Sequence, residues 1–398
     1  MIILYTISIR KKDNMEVYFD NSSTTKMYDD VIDEVIIGMK EYYGNPSSLH
    51  NLGLKSERKL KECRNVISEI INAEANEVHF NSGGSEGNNL ILKGVLKPGS
   101  HLITTPFEHA SILNTLKKME EDNVRITFLK IDKNGRVDLE HLKEAITKDT
   151  ALVSIMHVNN EIGTIQDIES IGNIIKSNSS RAKFHVDAVQ SFGKLKIDVK
   201  KMNIDFLSAS AHKFHGPKGC GFTYIKKTNN INPLINGGSQ EFGFRAGTQN
   251  IAAIMGMAKA AEIANKNMKN NYKKVFEIKQ RFIEKLNDIE DITINSLNND
   301  CFSPYILNVS FKGIKGEVLL HFLEEKGIYI STGSACSSKE REKIGGSYVL
   351  KAINLDRDEI LGGIRFSFSD DNNIEEVDYV IEELKNGLAF LRMLNKRR

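Results

Sequence analysis

Between residues 77 and 209 the sequence alternates short apolar runs with amphipathic ones, at a spacing few folds can satisfy. The apolar runs, read as strands, are residues 77–80, 101–104, 125–129, 151–158, 183–186 and 205–209. Helical periodicity covers residues 86–96, 111–121, 139–146 and 168–176 between most of them. Strand and helix alternating in this way predict an α/β fold with a mainly parallel, doubly wound sheet. Ligands of such sheets sit outside the carboxyl ends of the strands.

Polar motifs gather at those ends. Ser82-Gly83-Gly84-Ser85 follows one strand and precedes a helix. A helix N-terminus there could cradle a phosphate, or Ser82 or Ser85 could simply cap the helix. His109 follows the next strand, where its flat ring could stack on a planar cofactor, handle a proton or be structural. His157-Val158-Asn159-Asn160-Glu161 ends an apolar strand with two amides and an acid, suited to ligand contact or to a structural turn. Asp187, with Gln190 three residues on, could pair with a protonated ring nitrogen or cap a helix. Asp205–Phe222 then narrows to Ser208-Ala209-Ser210-Ala211, presents His212 and Lys213, and runs into glycines. Glycines allow tight turns and close ligand approach. Lys213 is thus either a Schiff-base lysine held in a cleft or a surface lysine on a turn.

Beyond residue 291 new strands (305–310, 328–330, 364–367) and helices (316–326, 374–391) imply a smaller α+β unit. The expected organisation is an extension at 1–15, a small-domain N-terminal segment at 16–30, a large domain at 31–265 and a small C-terminal domain at 266–398. Within the last, Ser331-Thr332-Gly333-Ser334-Ala335-Cys336-Ser337-Ser338-Lys339 surrounds a thiol with small polar residues and nearby cations. Free cysteines are usually buried and inert, whereas an exposed thiol near cations gains thiolate character. The four cysteines form no CxxC pair, which argues against a zinc site or a disulfide framework and for a reducing compartment. A net charge of +2 argues against a large electrostatic footprint for nucleic acid. No run approaches the roughly 18 apolar residues of a membrane helix.

These motifs, in this order, resemble the pyridoxal-phosphate cysteine desulfurases of the class V aminotransferase fold, within the group whose reactive cysteine lies in Gly-Ser-Ala-Cys. The matching stretches include Tyr18-Phe19-Asp20, residues 43–50, Ser82–Glu86, Glu108-His109, 156–163, 185–190, 210–221, Arg245-Ala246-Gly247-Thr248 and 333–337. The resemblance implies PLP fold type I and a soluble, cytoplasmic homodimer. It implies that Lys213 holds pyridoxal 5'-phosphate through its amine, with Asp187 on the ring nitrogen, Gln190 on the ring hydroxyl and His109 stacked on the ring. Gly84, Ser85, Ser210 and His212 would hold the phosphate, joined by Thr248 of a second subunit. Asn160 would lie near ring and substrate, and Arg365 would bind the substrate carboxylate.

Cys336 would take sulfur from L-cysteine as a persulfide, leave L-alanine, and pass the sulfur to an acceptor. An iron–sulfur scaffold or a tRNA- or cofactor-thiolation enzyme would fit. No metal site is expected, apart from a passing contact of Cys336 with a cluster. Selenocysteine lyase or another class V lyase is the alternative enzyme reading, and an inactive sulfur-relay scaffold the non-enzymatic one. Four departures stand out: Lys26 after Thr24-Thr25, Gln249 after Thr248, the charged segment 338–346, and Ser369-Asp370-Asp371 after Arg365.

Overall fold

The computed structural model describes residues 15–333 and 346–395, so residues 1–14 and Cys336 lie outside the described residues. The described chain opens with β1 (Val17–Tyr18), followed by α1 (Asp29–Glu41) and α2 (Asn51–Ile70). Residues 29–43 have helical periodicity that puts Val31, Val35 and Met39 on one face, and α1 departs from that stripe. Val31 and Gly38 are buried while Met39 is 67% exposed. The reason is a close backbone approach: a Cβ on Gly38 would lie 2.7 Å from Ala252 Cα, which turns Met39 outward. Helix α2 starts at Asn51, where His50 caps it by accepting from the Gly53 N–H.

The main sheet is built from β2 (Val78–Asn81), β3 (His101–Thr104), β4 (Arg125–Phe128), β5 (Thr150–Met156), β6 (Lys183–Asp187), β7 (Phe206–Ser210) and β8 (Gly221–Ile225). Their order is β2-β8-β7-β6-β5-β3-β4. Strands β7, β6, β5, β3 and β4 are parallel, and β8 runs antiparallel to both β7 and β2. The central strands are buried along their whole length, as parallel strands covered on both faces should be. Helices α3 (Gly84–Val95), α4 (Ala110–Glu121), α5 (Leu139–Ala145) and α6 (Ile168–Asn178) alternate with these strands. The sequence suggested only a glycine-rich loop after Lys213, yet Gly221 opens a strand. A Cβ at Gly221 would sit 2.4 Å from the Ala209 carbonyl oxygen, so only glycine fits that pairing.

Helix α7 (Ile251–Leu286) is one continuous element of 36 residues, and the expected boundary at 265/266 falls inside it. Its first half, with Ile254, Met257 and Ala261, joins the core of the main sheet. Its second half, with Val275, Ile278 and Phe282, joins a separate core. That core lies against a three-stranded antiparallel sheet of β9 (Ile292–Ile294), β10 (Ile306–Phe311) and β12 (Gly363–Ser367), ordered β12-β10-β9. Helix α8 (Gly316–Glu324) precedes β11 (Ile328–Tyr329), which pairs in parallel with β1. The long last helix, Ile374–Asn395, packs on α7 and α8.

Candidate active site

The carboxyl ends of β5, β6 and β7 open onto a cavity of about 550 Å³, closed on one side by the start of α3 and on another by Arg365 of β12. Asn81 shapes the α3 end by accepting from the Gly83 N–H at 2.8 Å while donating to Thr223 Oγ1 at 2.7 Å. Gly83 adopts φ 140°, a conformation glycine enters without penalty. Helix α3 has no side-chain cap. The Ser82 N–H instead donates to Glu86 Oε2, and Glu86 is paired with Arg245 at 2.9 Å. The partly positive helix end therefore faces the cavity beside Gly84, Ser85 and Ser210. Of the two readings of Ser82–Ser85, anion binding fits this geometry and simple capping does not.

Asp187, the last residue of β6, is 4% exposed and firmly oriented. Its Oδ1 accepts from the Val189 N–H at 3.0 Å and its Oδ2 from Asn88 Nδ2 at 2.8 Å. Asn88 also donates to Ser111 Oγ, tying α3 to α4. His109 sits at the N-cap of α4, where its Nδ1 accepts from the Ser111 N–H at 3.2 Å. Burial lowers the His109 pKa; the charge of Lys213 adds to this and that of Asp187 opposes it. The ring is therefore held neutral and basic at one nitrogen. Gln190 donates through Nε2 to the Ser22 carbonyl at 2.9 Å.

Lys213 ends a short 3-10 turn that follows β7. Its Nζ donates to the carbonyls of Ser22 at 2.6 Å and Ser23 at 2.8 Å. Burial first, then the cations Arg365 and Lys194, lower its pKa to about 7. A neutral amine at ordinary pH is the nucleophile that carbonyl chemistry needs. His212 lies at 3.2 Å from Thr24 Oγ1 through Nδ1, and burial with the Lys213 charge brings it down to about 4. Arg365 is 2% exposed and reaches the same cavity.

The cavity thus gathers Gly84, Ser85, His109, Asn160, Asp187, Gln190, Ser210, His212, Lys213 and Arg365. Thr248 is exposed and does not line it. Cys336 lies outside the described residues; before its segment Ser331 pairs with the Arg365 backbone, and after it Tyr348 lines the cavity. The sequence reading missed Asn88, Ser22 and Ser23. A polar residue on the inner face of a mostly apolar helix was the available signal for Asn88. For the serines there was only a run of small polar residues after a strand.

Five lining residues carry a buried polar atom without a partner among the described residues: Ser22 Oγ, Asn88 Oδ1, Asn160 Oδ1, Gln190 Oε1 and Arg365 Nε. Each such atom costs about 1–3 kcal/mol unless something satisfies it, so the cavity is made for a polar ligand. Among the described residues no cluster could hold a metal ion, and no helix is long and apolar enough to cross a membrane.

Residues 17–380 match the family model described as aminotransferase class-V. A cysteine desulfurase IscS of Clostridium botulinum is 43% identical over 384 residues, covering 93% of this chain and 94% of that protein. A cysteine desulfurase IscS of Methanosarcina thermophila is 41% identical over 387 residues, covering 96% and 94%. A solved structure titled NifS-like protein superposes with a TM-score of 0.88 at 38% identity, covering 94% of this chain and 100% of that one.

Proposed function

The chain belongs to the class-V aminotransferase family and is a pyridoxal-phosphate-dependent cysteine desulfurase, and from that premise we propose how its residues divide the reaction. The residues present fit the cofactor. The uncapped α3 N-terminus suits its phosphate, and the orphaned atoms of Gln190 and Asn160 suit its ring oxygen. The oriented Asp187 carboxylate suits a protonated ring nitrogen.

Gly84, Ser85, Ser210 and His212 would hold the phosphate, with Thr248 of a second copy. Asp187, fixed by Asn88 and the Val189 N–H, would keep the ring nitrogen protonated. When bound, the cofactor accepts the electron pair released at the substrate's α-carbon. His109 would stand beside the ring and, kept neutral by burial, could take a proton from the incoming amine. Lys213 would hold the cofactor through its amine, and its low pKa would let the same amine move a proton to and from the substrate's α-carbon. Arg365 binds the substrate carboxylate.

The Cys336 thiolate attacks the substrate sulfur: an S–S bond forms as the C–S bond breaks. The pair from the broken bond stays on carbon, which is protonated to give L-alanine. Summed up, L-cysteine and the enzyme thiol become L-alanine and an enzyme persulfide, a state that can be passed on. The acceptor is a sulfur-carrying protein such as an iron–sulfur scaffold or a thiolation enzyme, and the cytoplasm, where thiols stay reduced, is the setting.

A homodimer completes the site. Thr248 is exposed on its own chain, and Tyr43 and Leu49 are 70% and 104% exposed, large apolar side chains that a second copy would cover.

The convergence of Lys213, Asp187, His109 and Arg365 on one cavity carries this reading. Borohydride reduction of the loaded enzyme followed by peptide mapping tests it. The cofactor should be fixed on Lys213, and a Lys213→Ala variant should retain none covalently. Label on another lysine would refute the assignment.

A further inference from the structure

A buried guanidinium needs a counter-charge and acceptors for its donors. Arg365, in the middle of β12, finds them in two separate parts of the chain. Its Nη1 donates to the Asn160 carbonyl at 2.9 Å. Its Nη2 donates to Asp20 Oδ1 at 2.8 Å and to Ser23 Oγ at 2.7 Å. Nε is left without a partner in a side chain that lines the cavity. The guanidinium is therefore held from two sides, with the Nε–H and one Nη1–H left over.

Asp20 is fixed in its turn. Ser23 Oγ donates to Asp20 Oδ1 at 2.8 Å, and the N–H groups of Ser23 and Thr24 donate to the Asp20 carbonyl. Asp20 also bridges to Ser367, two residues beyond Arg365 on the same strand. The same turn holds the amine of Lys213, since the carbonyls of Ser22 and Ser23 accept from Lys213 Nζ. One short loop near the N-terminus thus sets the relation between the amine of Lys213 and the guanidinium of Arg365. Ser23 lines the cavity and Asp20 does not, so Asp20 acts through Arg365 rather than on a ligand.

We propose that Asp20 and Ser23 are positioning residues for the substrate carboxylate: they lock Arg365 so that its remaining donors stand at a fixed reach from Lys213. This rests on the reading of Arg365 as the carboxylate-binding residue. The pair selects for an amine that carries an α-carboxylate and takes no part in the transfer of sulfur. A charge-assisted contact held in register this way is worth about tenfold in affinity.

The test uses the holoenzyme and two probes, L-alanine and its decarboxylated counterpart ethylamine, with binding followed by cofactor absorbance. Asp20→Asn should weaken L-alanine and raise KM for L-cysteine about tenfold, while kcat at saturating cysteine stays within about twofold. Ethylamine binding and cofactor content should not change. Ser23→Ala should act in the same direction with a smaller effect. A general loss of structure would weaken both probes alike. Equal weakening of both, or no change for L-alanine in Asp20→Asn while Arg365→Gln weakens it, overturns the proposal alone. No change for L-alanine in Arg365→Gln overturns the reading of Arg365 and the proposal with it.

Discussion

Lys213 meets two carbonyl oxygens, two cations and almost no water, and its pKa of about 7 follows from that company. In cofactor-free protein its reactivity toward an amine-labelling reagent should have a midpoint near 7, not near the usual 10.5. Peptide-resolved labelling across pH measures this. The linkage sign is also fixed. Between about 7 and 10.5 the unfolded chain binds the extra proton, so the contribution of this group to stability rises with pH over that window. Glu108 works the opposite way. Burial raises its pKa from 4.5 to about 8, although Thr105 Oγ1 and the Met156 N–H both donate to its Oε1. The folded state holds this proton longer, so its stabilising effect is full below 4.5 and is lost as pH rises to about 8. Glu108→Gln keeps the acceptor and removes the charge. Its Tm should vary less with pH across that window than the parent's, and an identical pH profile would contradict the assignment.

At the scale of elements, the loop that carries Thr248 is braced rather than loose. Arg64 of α2 makes a two-pronged ion pair with Glu241 at 2.7 and 2.9 Å, and Glu241 also accepts from the Phe80 N–H and from Gln249. Glu241 and Phe242 take φ values of 47° and 57°, strained for residues with side chains and kept only where the surroundings dictate them. Arg64→Met would leave the Glu241 carboxylate buried and unpaired, with an expected loss of roughly 3–5 kcal/mol in urea unfolding. The parallel strands were legible because strands covered on both faces must be apolar along their length. Strand β8 was not, because its first residue is a glycine demanded by a close pairing that only the folded sheet reveals. The stripe on α1 was misread for a related reason: Gly38 gives no hydrophobic signal, yet it is the point of closest approach to α7.

Taken whole, the molecule assembles its site from segments far apart in sequence: the loop at 20–25, the ends of β5 to β7, the start of α3, and β12. Lys213, Asp187, His109 and Arg365 could be named from motifs because each stands beside characteristic neighbours in the chain. Asn88, Asp20 and Ser23 could not, since their value lies in contacts spanning 99, 345 and 342 residues. The proposed dimer makes the molecule-scale prediction. Leu49→Lys should shift sedimentation toward the monomer, and cofactor affinity should fall with it as Thr248 is withdrawn. Thr248→Ala in an intact dimer should lower cofactor affinity by about tenfold, the worth of one hydrogen bond to a charged group.

The central claim is that sulfur leaves cysteine and comes to rest on Cys336. Holoenzyme mixed with one equivalent of sulfur-labelled L-cysteine, quenched and digested, tests it most directly. The account predicts one alanine formed for each labelled sulfur, with the label in the peptide containing Cys336 and released by reducing agent. Alanine formed at the same rate by Cys336→Ser, or label on Cys63, Cys220 or Cys301 instead, would contradict it.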